Sequence, residues 1–82
     1  MKIIRFYANW CHKCKLFSDK CDIDVNVDLP SWKKTMIKYQ ISVIPSFIAL
    51  SDNNRVIGKL ANPTTVEEYK EWKTKMLKKG TK

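Results

Sequence analysis

Four stretches of the chain have the spacing of apolar residues that is typical of β-strands. Residues 2–8 are dense in β-branched and aromatic types, which predicts a buried strand. Residues 22–29 alternate apolar and polar positions with a period of two, which predicts a second strand. Residues 42–50 predict a third strand with Pro45 at its entrance, and residues 55–60 predict its hairpin partner. The apolar face of the second strand would consist of Ile23, Val25, Val27 and Leu29.

Helical patterns separate these strands. A short helix is predicted for residues 11–20, and a second begins at Pro30 and ends at about residue 39. The clearest helix is the last one, because Thr64 and Glu67 have the spacing of a capping box. Its predicted apolar face comprises Val66, Tyr69, Trp72 or Lys73, Met76 and Leu77.

The order of these elements is β-α-β-α-β-β-α, which predicts the α/β class. A strand–helix–strand start implies a parallel pair with a right-handed crossover, and the later hairpin adds antiparallel strands. We therefore expect a four-stranded mixed sheet with helices on both faces. With 82 residues and no linker, the chain is expected to form a single domain over residues 1–82.

Composition and charge narrow the classes of function. No apolar run has the length of a membrane span, and Arg5 interrupts the start of any signal peptide, so we expect no membrane association and a cytoplasmic location. The odd number of cysteines, three, fits a cytoplasmic chain better than a secreted disulfide scaffold.

The net charge is +8, and six lysines lie between Lys70 and Lys82 with one acid among them. Such a surface could attract nucleic acid or acidic proteins. Lysines at the end of a helix also complement its dipole and keep a small protein soluble. Aromatic residues do not interleave with these lysines as a nucleic-acid platform requires, so the solvated helix face is favoured.

The sequence Cys11-His12-Lys13-Cys14 is the main candidate for chemistry. Cys11 is placed at the predicted start of a helix, where backbone N–H groups and nearby positive charge stabilise a thiolate. His12 and Lys13 add charge in the same direction. Cys14 lies one turn later and could attack a mixed disulfide on Cys11. By itself this motif also fits a metal site, whereas its position between a strand and a helix favours a redox pair.

Three segments resemble the thioredoxin/glutaredoxin superfamily. The sequence F-Y-A-N-W-C-H-K-C-K looks like its active-site segment, and Y-Q-I-S-V-I-P-S-F-I-A-L resembles the segment that carries its cis-proline. The sequence N-N-R-V-I-G-K-L-A, followed by T-T-V-E-E-Y-K-E-W, is similar to its final hairpin and helix. The resemblance covers essentially the whole chain. It implies the thioredoxin-like fold in its short, glutaredoxin-sized form, without the N-terminal strand and helix of full-length thioredoxins.

The resemblance also implies an activity and roles for five residues. The protein would be a thiol-disulfide oxidoreductase that reduces protein disulfides, with Cys11 attacking and Cys14 resolving. Trp10 would shield the pair and contact partners. Pro45 would be cis beside the disulfide, and the backbone of Ile44 would pair with an extended substrate segment. No cofactor is implied beyond the redox-active disulfide itself.

Partners follow from the same resemblance. Disulfide-containing proteins would be substrates of a monomeric enzyme, and ribonucleotide reductase is one expected recipient of electrons. The electron donor would be a flavoprotein similar to thioredoxin reductase or, in the glutaredoxin-like alternative, glutathione. The acidic pair and T-V-P sequence typical of glutathione-binding glutaredoxins are absent, which favours the flavoprotein.

The chain departs from the family at one buried position. The family's buried acid, which accepts the proton of the resolving thiol, would fall at Arg5, and arginine cannot accept a proton. Either another acid or water would then take that role. The His12-Lys13 interior replaces the usual Gly-Pro and adds positive charge, so the protein is expected to be somewhat more oxidising than a typical reductant.

Two other classes of function remain open from the sequence. One is a metal-binding module that uses Cys11, Cys14, Cys21 and His12. The sequence has no second C-x-x-C and no spaced histidine to complete such a site, so we expect no bound metal. The other is a basic interaction protein that binds nucleic acid. In the redox interpretation, Cys21 packs as a small apolar side chain.

Overall fold

Four strands form one mixed sheet in a computed structural model that describes residues 1–17 and 21–80. They are β1 (Lys2–Tyr7), β2 (Ile23–Asn26), β3 (Ser46–Leu50) and β4 (Val56–Ala61), in the spatial order β2-β1-β3-β4. Strand β1 pairs in parallel with β2, and the β1–β3 and β3–β4 pairs are antiparallel. The predicted mixed sheet is confirmed.

The helices comprise α1 (Lys33–Lys38), α2 (Val66–Gly80) and two 3-10 helices, Lys13–Phe17 and Pro30–Trp32. The first 3-10 helix stands in place of the start of the helix predicted over residues 11–20, and residues 18–20 lie outside the described part of the chain. Side chains three positions apart eclipse in a 3-10 helix, which suits the burial of both Cys14 and Phe17. No helix within residues 1–17 and 21–80 is long and apolar enough to cross a membrane.

One face of the sheet is covered by α2 and the first 3-10 helix. Phe47 of β3 is fully buried there between Phe17 and Tyr69, whose ring centroids lie 5.6 and 4.4 Å from its own. Met76 of α2 closes over Gly58 of β4 so tightly that a Cβ atom at Gly58 would collide with its sulfur. This contact fixes how closely α2 approaches the hairpin.

The opposite face of the sheet is covered by α1. Alternate residues of the central strands, including Phe6 and Ile48, pack there with Val25 of β2 and with Trp32, Met36 and Tyr39. Helices therefore cover both faces, as predicted.

The second strand is shorter than its alternating pattern predicted. It ends at Asn26, where the side chain accepts the backbone N–H of Asp28 and the carbonyl accepts that of Leu29. Such an Asx turn competes with strand pairing. The placement of Leu29 on the buried face was therefore wrong, since this side chain is exposed.

The start of α2 is displaced by one residue from the predicted capping box. The hydroxyl of Thr65, not Thr64, accepts the backbone N–H of Glu68 at 3.1 Å. The Glu68 carboxylate in turn accepts hydrogen bonds from the backbone N–H and from the hydroxyl of Thr64. These two bonds lower the pKa of Glu68.

The predicted place of Leu77 on the apolar face of α2 was also wrong, because that side chain is exposed.

Candidate functional site

Cys11 and Cys14 are joined in a disulfide just beyond the carboxyl end of β1, with Cα atoms 5.3 Å apart. The backbone N–H of Cys14 donates to the Cys11 sulfur at 3.2 Å. The backbone N–H of Cys11 is not left unpaired as the predicted helix start required, since it donates to the carbonyl of Ala8 at 3.1 Å. The N–H of Cys14 is therefore fixed towards the Cys11 sulfur. In the reduced protein it would stabilise the negative charge of a thiolate at Cys11.

Both sulfurs lie among apolar side chains. Cys11 is 7% exposed and Cys14 is 3% exposed, and both pack with the buried Ala8. Tyr7, Val27 and Ile44 pack against this cluster from three different parts of the chain. Val27 was predicted only as a strand residue, and nothing in its local pattern indicated that it would contact the cysteines.

The segment at the entrance of β3 forms one side of the site. The Ile44–Pro45 peptide bond is cis, and Pro45 is buried. The Pro45 carbonyl accepts the backbone N–H of Asn62 at 2.9 Å. The hydroxyl of Ser46 donates to the carbonyl of Val43 at 2.6 Å, which closes the turn before the strand.

Lys13 and Asn62 link the cysteine segment to the end of β4. The Lys13 ammonium donates to the Asn62 side-chain oxygen at 2.8 Å, although the two residues are 49 positions apart. Asn62 has a φ of 50°, a conformation that asparagine tolerates better than most residues. Sequence reasoning missed Asn62. His12, which follows Cys11 in the sequence, is exposed.

Trp10 is 65% exposed beside the cysteines. Its indole N–H donates to Asp28 at 3.2 Å, which attaches the side chain to the turn after β2. The ring therefore forms part of the open surface at this end of the sheet, where a partner could contact it.

Arg5 occupies the place that the resemblance assigned to a buried acid. One guanidinium nitrogen donates to the carbonyl of Phe17 at 2.6 Å. The Arg5 Nε lies 2.9 Å from a carboxylate oxygen of Asp24, an ion pair without the alignment of a hydrogen bond. The guanidinium also stacks over the ring of Tyr7, 4.8 Å from its centroid.

A cavity of about 260 Å³ lies between this arginine and the disulfide. It is lined by Arg5, Tyr7, Ala8, Asn9, Cys14 and Lys15. The side of the disulfide that carries Cys14 therefore borders a space with two cationic side chains.

Comparison with known proteins is consistent with this architecture. No protein-family model matches the chain. The mitochondrial thioredoxin-3 of Saccharomyces cerevisiae is 29% identical over 83 residues, covering 80% of this chain and 60% of that protein. The thiol:disulfide interchange protein TxlA homolog of Synechocystis sp. is 26% identical over 69 residues, covering 70% of this chain and 38% of that protein. The reduced thioredoxin pre-protein of Schistosoma mansoni has a TM-score of 0.71 and 26% identity, covering 90% of this chain and 76% of its own.

The chain is a thioredoxin-like superfamily protein. The C-terminal domain of Neisseria meningitidis DsbD has the same fold, with a TM-score of 0.66 at 19% identity over 90% of this chain and 78% of its own. The thioredoxin-like chain spans 60% and 38% of the length of the two curated relatives described above.

The third cysteine of the thioredoxin-like protein lies apart from the disulfide. Cys21 is half-buried, and its sulfur lies 3.6 Å from the hydroxyl oxygen of Tyr69. Burial raises the pKa of the Cys21 thiol, and the contact with Tyr69 offsets part of that rise. Cys21 packs against the cluster that contains Phe17, whereas Cys11 packs with Ala8. Within residues 1–17 and 21–80, no three His, Cys, Asp or Glu side chains are placed to hold a metal ion.

Proposed function

We propose that the protein is a thiol-disulfide oxidoreductase that reduces protein disulfides by dithiol–disulfide exchange. The observation that carries the proposal is the Cys11–Cys14 disulfide, held between the end of β1 and the Ile44–Pro45 segment on a thioredoxin-like fold. The thioredoxin and thiol:disulfide interchange protein among its relatives support the same reaction.

Cys11 is the attacking residue in this proposal. In the reduced protein its thiolate attacks one sulfur of a substrate disulfide, which forms a mixed disulfide and releases the other substrate sulfur as a thiolate. Cys14 then attacks the Cys11 sulfur, the bond to the substrate breaks, and the Cys11–Cys14 disulfide forms. The backbone N–H of Cys14, which donates to the Cys11 sulfur and would stabilise a thiolate there, supports this order of attack.

Substrates bind beside the disulfide in an extended conformation. The backbone of Ile44 pairs with the substrate segment, and Pro45 keeps that edge against the cysteines. The exposed ring of Trp10, fixed through Asp28, supplies an apolar contact on the other side. Lys13 favours the thiolate by its positive charge, and His12 lies next to Cys11 on the same segment.

The physiological partners form a finer part of the proposal. We infer that a flavoprotein similar to thioredoxin reductase supplies electrons, with glutathione as the alternative donor. Ribonucleotide reductase is one proposed recipient, and the protein acts as a monomer in the cytoplasm without a bound cofactor. Reduction by NADPH with a thioredoxin reductase, compared with reduction by glutathione, distinguishes the two donors.

The decisive experiment is the reduction of insulin by dithiothreitol, followed as turbidity. We expect the protein to accelerate it well above background, Cys11→Ser to abolish the acceleration, and the matched variant Cys21→Ser to retain it. Equal rates with and without the protein, or full activity in Cys11→Ser, would contradict the proposed function.

A further inference from the structure

The open cavity beside the disulfide brings a largely buried arginine and the resolving cysteine to one space. Arg5 and Cys14 both line it, and Cys14 is buried. Cys14 also packs with Ala8 in the apolar cluster around the disulfide, and apolar contacts of this kind disfavour ionisation because a thiolate is poorly solvated there. Resolution of a mixed disulfide nevertheless requires Cys14 to react as a thiolate.

Arg5 is held in place from three directions. Its guanidinium donates to the Phe17 carbonyl, lies against Asp24 and stacks over the ring of Tyr7. The side chain is 15% exposed, so solvent screens its charge far less than that of a surface lysine. A fixed cation of this kind stabilises an anion across a small cavity.

We propose that Arg5 is a positioning residue for the second step of exchange, where its charge favours the thiolate of Cys14 across the cavity. This inference rests on the proposed function. Because the position holds a cation that cannot accept a proton, the proton of Cys14 passes to water and not to a side chain at residue 5. Asp24 partly offsets the charge of Arg5 and so moderates the effect.

Atoms and electrons balance in this step. The Cys14 thiol loses its proton to water, and the resulting thiolate attacks the Cys11 sulfur of the mixed disulfide. The bond between Cys11 and the substrate sulfur breaks, the electron pair leaves with the substrate as a thiolate, and the Cys11–Cys14 bond forms. The protein dithiol is oxidised by two electrons and the substrate disulfide is reduced by two.

The other charged groups around Cys14 have weaker claims to this role. Lys15 also lines the cavity, but its side chain is exposed and screened. Lys13 is bound to Asn62, and His12 is exposed on the segment that precedes Cys14. Tyr7 contributes the aromatic ring on which the Arg5 guanidinium stacks.

The test separates the two chemical steps with dithiobis(nitrobenzoate) as the probe. In a Cys21→Ser background, attack by Cys11 releases one equivalent of coloured thionitrobenzoate, and attack by Cys14 then releases a second. Stopped-flow absorbance resolves the two phases, and the second reports on Cys14. The variants are Arg5→Gln, which removes the positive charge, and Arg5→Lys, which retains it. Both variants lose the guanidinium group and its hydrogen-bond geometry, so they differ mainly in charge.

We expect Arg5→Gln to slow the second phase about tenfold at pH 7, the size of effect that a nearby opposite charge has on ionisation. Arg5→Lys should remain within about twofold of the parent. Asp24→Asn should accelerate the second phase, because it leaves the charge of Arg5 uncompensated. The defect of Arg5→Gln should shrink as the pH rises towards 10, where thiols ionise without help.

Equal second-phase rates in Arg5→Gln and Arg5→Lys would overturn the inference, as would a defect that is the same at every pH. Asp24→Asn gives an independent test in the opposite direction if Arg5→Gln fails to fold, and a slower second phase in that variant contradicts the inference. If the parent protein shows no fast first phase, the result would instead contradict the proposed function.

Discussion

The three thiols of this molecule have different surroundings, and their reactivities should differ accordingly. Cys11 receives the backbone N–H of Cys14, whereas Cys21 lies half-buried against Tyr69. Burial is the main reason that the pKa of Cys21 is raised, and only the thiolate form reacts with electrophiles. The third thiol should therefore not compete with Cys11 and Cys14 near neutral pH.

This difference predicts the order of alkylation in the reduced protein. At pH 7 we expect iodoacetamide to modify Cys11 first and Cys21 much more slowly than in the protein unfolded by urea, with peptide mass spectrometry as the measurement. The rate at Cys21 should keep rising with pH beyond the ordinary cysteine pKa of 9.0, because its folded pKa is higher.

Tyr69→Phe is the matched variant for Cys21. It removes the hydroxyl contact that lowers the pKa of this thiol, so alkylation should become slower still at any given pH. Faster modification of Cys21 in the folded protein than in urea would show that burial does not protect it.

At the scale of single residues, the sequence was informative where chemistry is local. Cys11 and Cys14 could be singled out because their spacing and neighbouring strand are visible in ten consecutive residues. Asn62 could not, since its role depends on a contact with Lys13 formed only when β4 reaches its place in the sheet. The interaction of Arg5 with Asp24 likewise depends on the parallel register of β1 and β2.

Among the elements, α1 ends in a Schellman motif that contains an unusual residue. The backbone N–H of Ile41 donates to the carbonyl of Met36, and that of Gln40 donates to Ile37. This geometry places Gln40 at a φ of 54°, the left-handed region in which glycine is the usual residue. The exposed side chain gains no burial in return.

Gln40→Gly should therefore stabilise the protein by ~1 kcal/mol, the approximate cost of the left-handed conformation for a residue with a Cβ atom. Gln40→Ala keeps that cost and is the control. Urea unfolding followed by tryptophan fluorescence measures both. If the Gln40→Gly variant proved no more stable than the Gln40→Ala variant, backbone strain at this helix end would be negligible.

Boundaries of elements were the least predictable part of the fold. Alternation continued past the true end of β2, because a repeating pattern carries no information about the turn that Asn26 makes with Asp28. Two consecutive threonines offered two registers for the start of α2, and the carboxylate of Glu68 selected Thr65. The number of strands, their order along the chain, the parallel first pair and the antiparallel hairpin were predicted correctly, since hydrophobic periodicity and connection rules determine them.

For the whole molecule, the net charge of +8 should affect encounters with charged partners. Lys15 is exposed directly after Cys14, and His12 is exposed directly after Cys11. Long-range attraction raises association rates for oppositely charged partners and weakens as salt is added.

Acidic disulfide peptides should consequently be reduced faster than basic peptides of the same length and disulfide geometry. We expect a ratio of about ten in the second-order rate at low ionic strength, falling towards one in about 0.5 M salt. Competition assays with mass-spectrometric detection would measure it. A ratio that does not change with salt would assign any preference to local contacts.

Three stretches distant along the chain assemble around the sulfurs: the cysteine segment, the Ile44–Pro45 entrance to β3, and Asn62 after β4. Between the second and the third lies an exposed polar turn, in which the backbone N–H of Asn54 donates to Ser51. A cut in this turn would leave both cysteines on one fragment, and Asn62 with α2 on the other. The proposed reductase activity would then report the reunion of two separate polypeptides, so the molecule offers the layout of a split reporter.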